Sequence, residues 1–281
     1  MMNQRMFATL NGSSSGRVLD VRPAVDFERL HRAGAVNIPL DELTGRIHEL
    51  PPRETPITIY DANETRARWA MSRLRMRNRA VGHVLFGEDW LRAGPTARGA
   101  SRDKLWQPHA LLAEAVRHCR RLPSNVEGCR ALEIACGSGR DAVFLAMSGF
   151  DVEAWDVLPD AVALCDALAE RYDVIVRTRC WDVEANPEIE EECYDLVSCF
   201  NFLHRPIMSR IADAVRPGGL VVYETFVHPQ RDLFGRPRRE AQLLQPAELP
   251  MWFEGWTILA SREGLTGPRR FAASLIARRP A

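Results

Sequence analysis

Residues 131 to 141, Ala-Leu-Glu-Ile-Ala-Cys-Gly-Ser-Gly-Arg-Asp, decide how this chain folds. An apolar run breaks into a small, glycine-bearing turn and then into a helix-like segment, Ala142 to Ser148. Strand, tight turn and helix N-terminus make a nucleotide-binding corner. Gly137 and Gly139 let the backbone pass close to a ligand with no Cβ in the way, and the N–H groups that open the helix, from Arg140 on, are free to meet acceptors. Glu133, at the end of the strand, faces a cationic or hydroxyl-bearing part of that ligand. A second apolar strand, Val152 to Trp155, leads to Asp156, 19 residues beyond Gly137. This is where such a corner places a carboxylate to hold two ribose hydroxyls.

As a dinucleotide fingerprint the corner matches only Gly137-x-Gly139-x-x-Ala142, and a phosphate-binding turn gains nothing from an acid just before it. S-adenosylmethionine has no phosphate and carries a sulfonium and an ammonium, which an acid suits. At this point the chain resembles the class I methyltransferases, whose first motif, acid-x-Gly-x-Gly-x-Gly, stands here as Glu133-x-Ala135-x-Gly137-x-Gly139. Ala135 replaces the first glycine. The resemblance implies a Rossmann-like α/β domain with a seven-stranded mixed sheet. It also implies S-adenosylmethionine as cofactor, held by Glu133, Ala135, Gly137, Gly139, Arg140, Asp156, Val157, Asp182, Val183 and Phe200.

Further marks of that family follow in order. Cys180-Trp181-Asp182-Val183-Glu184 sits where the third strand ends, and Asp182 is expected to receive the adenine amino group. Tyr194 to Phe200 is a buried fourth strand, ending in Asn201-Phe202-Leu203-His204-Arg205-Pro206. Then come a helix ending at Arg216, the turn Pro217-Gly218-Gly219 and a fifth strand, Leu220 to Phe226. Trp256 to Ala260 and Phe271 to Ala277 form the last two strands, joined by Arg262 to Arg270, and Leu111 to Leu122 forms an amphipathic helix ahead of the first. Ala-Cys-Gly-Ser-Gly-Arg-Asp-Ala at 135 to 142, Phe-Leu-His-Arg-Pro at 202 to 206 and Tyr-Glu-Thr-Phe at 223 to 226 resemble the tellurite-resistance-type small-molecule methyltransferases.

The first hundred residues differ. Arg17-Val-Leu-Asp-Val-Arg22, then Phe27 to Pro39, resembles the opening of a rhodanese-like α/β domain, and Ile57-Thr-Ile-Tyr60 the strand that delivers its active-site loop. In that family the loop reads Cys-x-x-Gly-x-Arg, with a thiolate that takes up sulfur in a cradle of backbone N–H groups. The same positions here read Asp61-Ala-Asn-Glu64-Thr-Arg66, and no cysteine precedes Cys119. A carboxylate forms no persulfide, so the module is expected to be catalytically silent. The expected organisation is a rhodanese-like domain over 1–93, a Gly/Pro/Ser-bearing linker over 94–105 and the methyltransferase domain over 106–281. The arginines between Arg66 and Arg79 alternate with Trp69, Met71, Leu74 and Met76, the pattern of a solvated helix with an apolar face, or of a docking surface for an acidic partner or for the second domain.

The 281 residues balance 37 basic against 37 acidic side chains, which argues against a dedicated nucleic-acid binder. No apolar run approaches a membrane span and the N-terminus holds no signal core, so a cytoplasmic protein is expected. The seven cysteines show no Cys-x-x-Cys pair, and neither zinc nor a disulfide framework is indicated. The family chemistry needs a nucleophile placed in line with an activated methyl group, with water excluded. His204 and Arg205, after the fourth strand, are the expected catalytic residues, the first drawing a proton from a small-molecule acceptor and the second holding an anionic one. Glu224 and the segment His228 to Arg239 are expected to form a lid. The acceptor stays open among thiols, thiopurines and selenium or tellurium oxyanions, and a non-catalytic cofactor-binding sensor is the alternative.

Overall fold

The computed structural model describes residues 18–120 and 128–281. The start of the expected front domain, 1–17, and the last two residues of the expected helix ending at Leu122 lie outside the described residues. The chain divides into two compact units, Met1–Gln107 and Pro108–Ala281.

The front unit runs β1 (Val18–Asp20), α1 (Ala24–Arg29), β2 (His31–Arg32), β3 (Ala35–Asn37), β4 (Ile57–Asp61), α2 (Glu64–Arg75), β5 (Val81–Phe86), α3 (Glu88–Arg92) and β6 (Thr96–Ala97). Its main sheet has the order β3-β1-β4-β5, and every pairing in it is parallel. All five residues of β4 are buried, as a central parallel strand covered on both faces requires. Asn63 caps α2 by accepting the Arg66 N–H at 3.1 Å. The face of α2 that packs inward is Ala67, Ala70 and Leu74, while Trp69 is 56% exposed with the Arg73 guanidinium over its ring at 4.5 Å. The apolar stripe is thus narrower than expected. The 94–105 stretch, expected as a linker, is woven into this unit: β6 pairs with β2, and Leu105 is buried in the core with Leu19 and Ile59.

The rear unit begins with α4 (Ala110–Arg120) and β7 (Arg130–Ile134), α5 (Arg140–Met147), β8 (Asp151–Asp156), α6 (Pro159–Arg171) and β9 (Val176–Cys180). It continues with β10 (Tyr194–Phe200), α7 (Met208–Ala214), β11 (Val215–Phe226), α8 (Pro229–Phe234), α9 (Glu248–Met251), β12 (Thr257–Gly267) and β13 (Arg270–Arg278). These strands make the seven-stranded mixed sheet, in the order β12-β13-β11-β10-β7-β8-β9. Only the pairings of β13 with β11 and β12 are antiparallel. Two boundaries differ from expectation. The Pro217-Gly218-Gly219 turn is absorbed into β11, and the 262–270 connection is mostly strand, because β12 runs to Gly267 before a tight turn at Pro268-Arg269.

The strand order reverses between β7 and β10, which opens a crevice at their carboxyl ends. Alternate residues of each strand face opposite sides of the sheet. One side, with Leu132, Ile134, Val197, Cys199, Val221 and Tyr223, packs on Ile207, Met208, Ile211, Leu249 and Phe253. The other, with Ala131, Leu196, Leu220 and Val222, packs on Leu111, Leu112, Ala142, Leu145 and Cys165 of α4, α5 and α6. On this second side the same alternation brings Glu133, Ser198, Phe200 and Glu224 to the carboxyl ends, since Glu133 is registered with Ser198 and Phe200 with Glu224. Among the described residues no helix is long and apolar enough to cross a membrane.

Candidate functional site

The turn after β7 is held from two directions. Gly137 N–H donates to Asp156 Oδ2 at 2.8 Å, so the acid at the end of β8 clamps the glycine turn, and its Oδ1 accepts the Leu158 N–H at 3.0 Å. Ala135, in the first glycine's place, sits at φ +57°, a left-handed conformation that a Cβ disfavours. Gly139, at φ +78°, has a second constraint, because a Cβ there would collide with Cys165, 2.6 Å from its Cα. A Cβ on Gly137, at φ +54°, would meet only open space.

Beside this turn lies a cavity of about 230 Å³. It gathers Ala135, Asp156, Val157, Asp182 and Val183 from the expected set, adding Trp155, Trp181 and Phe202 as apolar walls. Asp182 Oδ1 accepts the N–H groups of Glu184 (3.0 Å) and Ala185 (3.2 Å), which orients the carboxylate at the rim. Val157 remains half-exposed on its wall. Planar apolar surface with an acid at either end fits an adenosine group, one carboxylate for ribose hydroxyls and the other for an amino group.

Glu133 is 2% exposed and receives a hydrogen bond from the Ser198 hydroxyl. Burial, reinforced by the nearby Asp141 carboxyl, pushes its titration well above the ordinary carboxylate range. Asp141, in the first turn of α5, is raised too, chiefly by burial, although its Oδ1 accepts the His109 N–H at 2.6 Å. A buried acid, Glu133, with the half-buried Asp141 as neighbour makes a place suited to an ammonium or sulfonium.

The structure does not bring His204 and Arg205 to that pair. His204 opens the short 3-10 turn Arg205–Ile207, with Nδ1 3.9 Å from Glu184 Oε2 at the rim of the small cavity. Arg205 is committed elsewhere. Its Nε and Nη2 donate to the two carboxylate oxygens of Glu248 at 2.6 and 2.8 Å, and Nη2 donates also to Leu243 O at 2.9 Å. Burial pulls Glu248 upward, but the Arg205 contacts and the Gln245 N–H outweigh it and hold its titration low. The guanidinium pins the chain around 241–248 to the turn after β10.

A second cavity, of about 490 Å³, opens at the same carboxyl ends, lined among others by His109, Glu224, Arg262 and Arg270. Glu224, expected in a lid, is instead inside β11 and 3% exposed. Its Oε1 accepts from His109 Nε2 at 3.2 Å and Arg270 Nε at 2.7 Å, contacts that outweigh burial and lower its titration. Leu111 N–H donates to His109 Nδ1 at 3.3 Å, which leaves Nε2–H to face Glu224. The imidazole stacks on Phe200, centroids 4.1 Å apart at 16°. His109 and Arg270 were not singled out in the sequence; the signal was an ionisable residue in the middle of the apolar run Leu220 to Phe226. Among the described residues no three His, Cys, Asp or Glu side chains cluster to hold a metal.

In the front unit, Asp61 ends β4 and is 2% exposed. Oδ1 accepts the Asn63 N–H at 2.9 Å and Oδ2 accepts Arg66 Nε at 3.0 Å, at the floor of a cleft of about 660 Å³.

The comparisons agree with this division. The family description of tellurite resistance protein TehB matches residues 109–266, more than half of the chain, and the chain belongs to that family. The rhodanese-like domain matches residues 5–87. Hemagglutinin 1 of Eikenella corrodens is 29% identical over 56% of this chain and 51% of its own length. The probable S-adenosyl-L-methionine-dependent methyltransferase TehB of Haemophilus influenzae is 30% identical over 28% of each chain. The crystal structure of TehB from Haemophilus influenzae superposes with a TM-score of 0.48 at 20% identity, over 59% of this chain and 62% of that one. The chain thus spans about half of the first curated relative and under a third of the second.

The two glycines should separate under mutation. Gly139→Ala meets both backbone strain and a clash with Cys165, and should destabilise the rear unit by about 2–4 kcal/mol in denaturant unfolding. Gly137→Ala, with room for its Cβ, should lose only the ~1–2 kcal/mol of left-handed strain. Equal losses would contradict the packing of α6 against the turn.

Proposed function

We propose that the rear unit binds S-adenosylmethionine and catalyses methyl transfer to a small-molecule acceptor, while the front unit is a rhodanese fold without sulfur-transfer activity. The observation that carries the first part is the buried Glu133 with Asp141 beside it at a glycine turn, at the point where the strand order reverses. Membership of the TehB family supports it.

The cofactor when bound supplies a methyl group already activated on a cationic sulfur. The chain's own residues divide the remaining work. Asp156 takes the ribose hydroxyls and Asp182 the adenine amino group, with Trp155, Val157, Trp181 and Val183 covering the flat faces. Ala135, Gly137, Gly139 and Arg140 offer close backbone, and Glu133 with Asp141 meets the cationic end. Phe200 excludes water next to that end and backs the His109 ring. On the acceptor side, Arg270 and Arg262 attract an anionic or ionising group into the second cavity. Glu224 fixes Arg270 and His109 in place. Glu133 and Glu224 stand two strands apart and two residues offset on one face, about 12 Å between backbones, a span suited to two reactants meeting end to end. His204 is a rim residue in this arrangement, and Arg205 a structural one.

Binding should release protons. Burial raises the titrations of Glu133 and Asp141 in the free protein, and a bound cation would lower both. Between the bound and free titrations affinity therefore rises with pH. Calorimetry of S-adenosylmethionine binding in buffers of different ionisation enthalpy measures this directly; proton uptake, or none, would refute it. Glu133→Gln should weaken binding by about 1.5–3 kcal/mol. It should also leave the free protein as stable or more stable at about pH 8, because ionising this acid in the fold is what destabilises as pH rises past the ordinary carboxylate range.

Products should be sought with selenite, tellurite, aliphatic thiols and thiopurines as acceptors. Glu224→Gln should lower turnover on the active acceptor by ~10²-fold through misplacement, with cofactor affinity kept. Arg205→Ala should lower the melting temperature and leave turnover per folded molecule near normal. Tight cofactor binding with no product on any acceptor would favour a non-catalytic sensor.

The unaltered protein should transfer no sulfur from thiosulfate to cyanide above a heat-killed control, since Asp61 stands at the thiol's position. Activity above that control would overturn the assignment of the front unit.

A further inference from the structure

Two buried thiols meet behind the glycine turn and have no part in methyl transfer. Cys136 lies within the turn: its N–H donates to Trp155 O and its carbonyl accepts the Gly139 N–H, both at 3.0 Å. Cys165 projects from α6, fully buried, into the space that a Cβ on Gly139 would need. Both thiols belong to one apolar cluster with Ala142 and Leu145, and Cys165 Sγ stands where a Cβ on Gly139, three residues on from Cys136, would sit. Of the two, only Cys136 keeps any contact with solvent, at 8% exposure.

We propose that Cys136 and Cys165 are an oxidisable pair, a site for disulfide formation by peroxide, through which the redox state of the chain controls cofactor binding. The inference rests on the S-adenosylmethionine assignment above for its consequence, though not for the oxidation itself. The chemistry balances with hydrogen peroxide as oxidant. The Cys136 sulfur attacks one peroxide oxygen, the O–O bond breaks, and one water leaves with the thiol proton, giving a sulfenic acid. The Cys165 sulfur then attacks that sulfur, the S–S bond forms, and the hydroxyl departs as a second water with the Cys165 proton. Two thiols are oxidised by two electrons and one peroxide is reduced to two waters.

The packing gives the bond its effect. An S–S bond is shorter than the contact it replaces, so one of the partners must move. Cys165 has no room to advance, because Gly139 already lies against its Cα and Cβ. The movement falls on Cys136, which carries with it the neighbouring Gly137 N–H and its hold on Asp156. Disulfide formation thus draws the turn off the ribose position. Cys165 and burial push the Cys136 thiol's titration up, which slows its oxidation while the turn is closed. By reciprocity of coupled equilibria, a ligand that seats the turn protects the pair.

The test uses the full chain. Protein with and without saturating S-adenosylhomocysteine is exposed to hydrogen peroxide, digested without reductant and mapped by mass spectrometry. In parallel, S-adenosylmethionine affinity is measured by calorimetry on reduced, oxidised and dithiothreitol-restored protein. A peptide pair joined through Cys136 and Cys165, lighter by two hydrogens, is expected, forming more slowly with ligand present. Oxidised protein should bind about 5- to 150-fold more weakly, the ordinary range for coupled sites, and reduction should restore it. Cys165→Ser and Cys165→Ala should bind as the reduced protein does and keep that affinity after peroxide. Absence of the joined peptide while other thiols oxidise, unchanged affinity in joined protein, or equal loss in both variants would each overturn the proposal. Failure of the reduced protein to bind would fell the cofactor assignment instead, and the joined peptide would still decide whether the pair oxidises.

Discussion

The buried acid Glu133, with Asp141 beside it, is the constraint around which the rear unit is arranged. A carboxyl taken from water without a cation is unfavourable, and the fold keeps this one where β7 and β10 part. Each of the two acids is tied into a different element. Ser198 of β10 donates to Glu133, and Asp141 receives the His109 N–H that leads into α4. His109 carries the linkage onward, stacking on Phe200 and donating to Glu224. A chain of direct contacts therefore runs from Glu133 and Asp141 to the second cavity.

Strand alternation explains why these groups share a face. Ala131, Leu196 and Leu220 occupy the same face lower in the sheet and build its core. Two to four residues further along, the same positions are Glu133, Ser198 and Glu224, so the face turns from apolar to ionisable within the last turns of strand. The opposite face stays apolar to its end, and the chain leaving β10 crosses to it: Leu203 and Ile207 pack there with Met208 and Leu249. His204 and Arg205 lie on that route, and Arg205 pairs with Glu248. Which side the turn after β10 takes is set by the apolar residues around it, Leu203 and Ile207.

What could be read from the sequence was local. The glycine turn, Glu133 and Asp156 stand at spacings that a strand-turn-helix unit fixes by itself, and the order of β7 to β11 follows from apolar runs punctuated by turns. What could not be read comes together only through register and packing. His109 meets Glu224 across 115 residues, Arg270 meets it across 46, and Arg205 meets Glu248 across 43. The 94–105 stretch misleads for a related reason. Its Gly, Pro and Ser content is that of a linker, yet Thr96–Ala97 completes a two-stranded ladder and Leu105 supplies a side chain the front core needs.

The two units treat a buried carboxylate in opposite ways, and the contrast bears on which of them requires a ligand. Asp61 has an amide N–H on one oxygen and a guanidinium on the other, so its charge is answered by its own loop and the helix that follows. Glu133 has one hydroxyl donor and a second acid for a neighbour, and among the described residues no ion pair answers its charge. A site satisfied internally gains little from a ligand, whereas an unsatisfied one gains the full difference between a buried lone charge and a buried pair. Asp61 closes the rhodanese-like cradle in the act of stabilising it. Glu133 leaves the rear corner open, and a cation is the one kind of partner that would let both of its acids ionise.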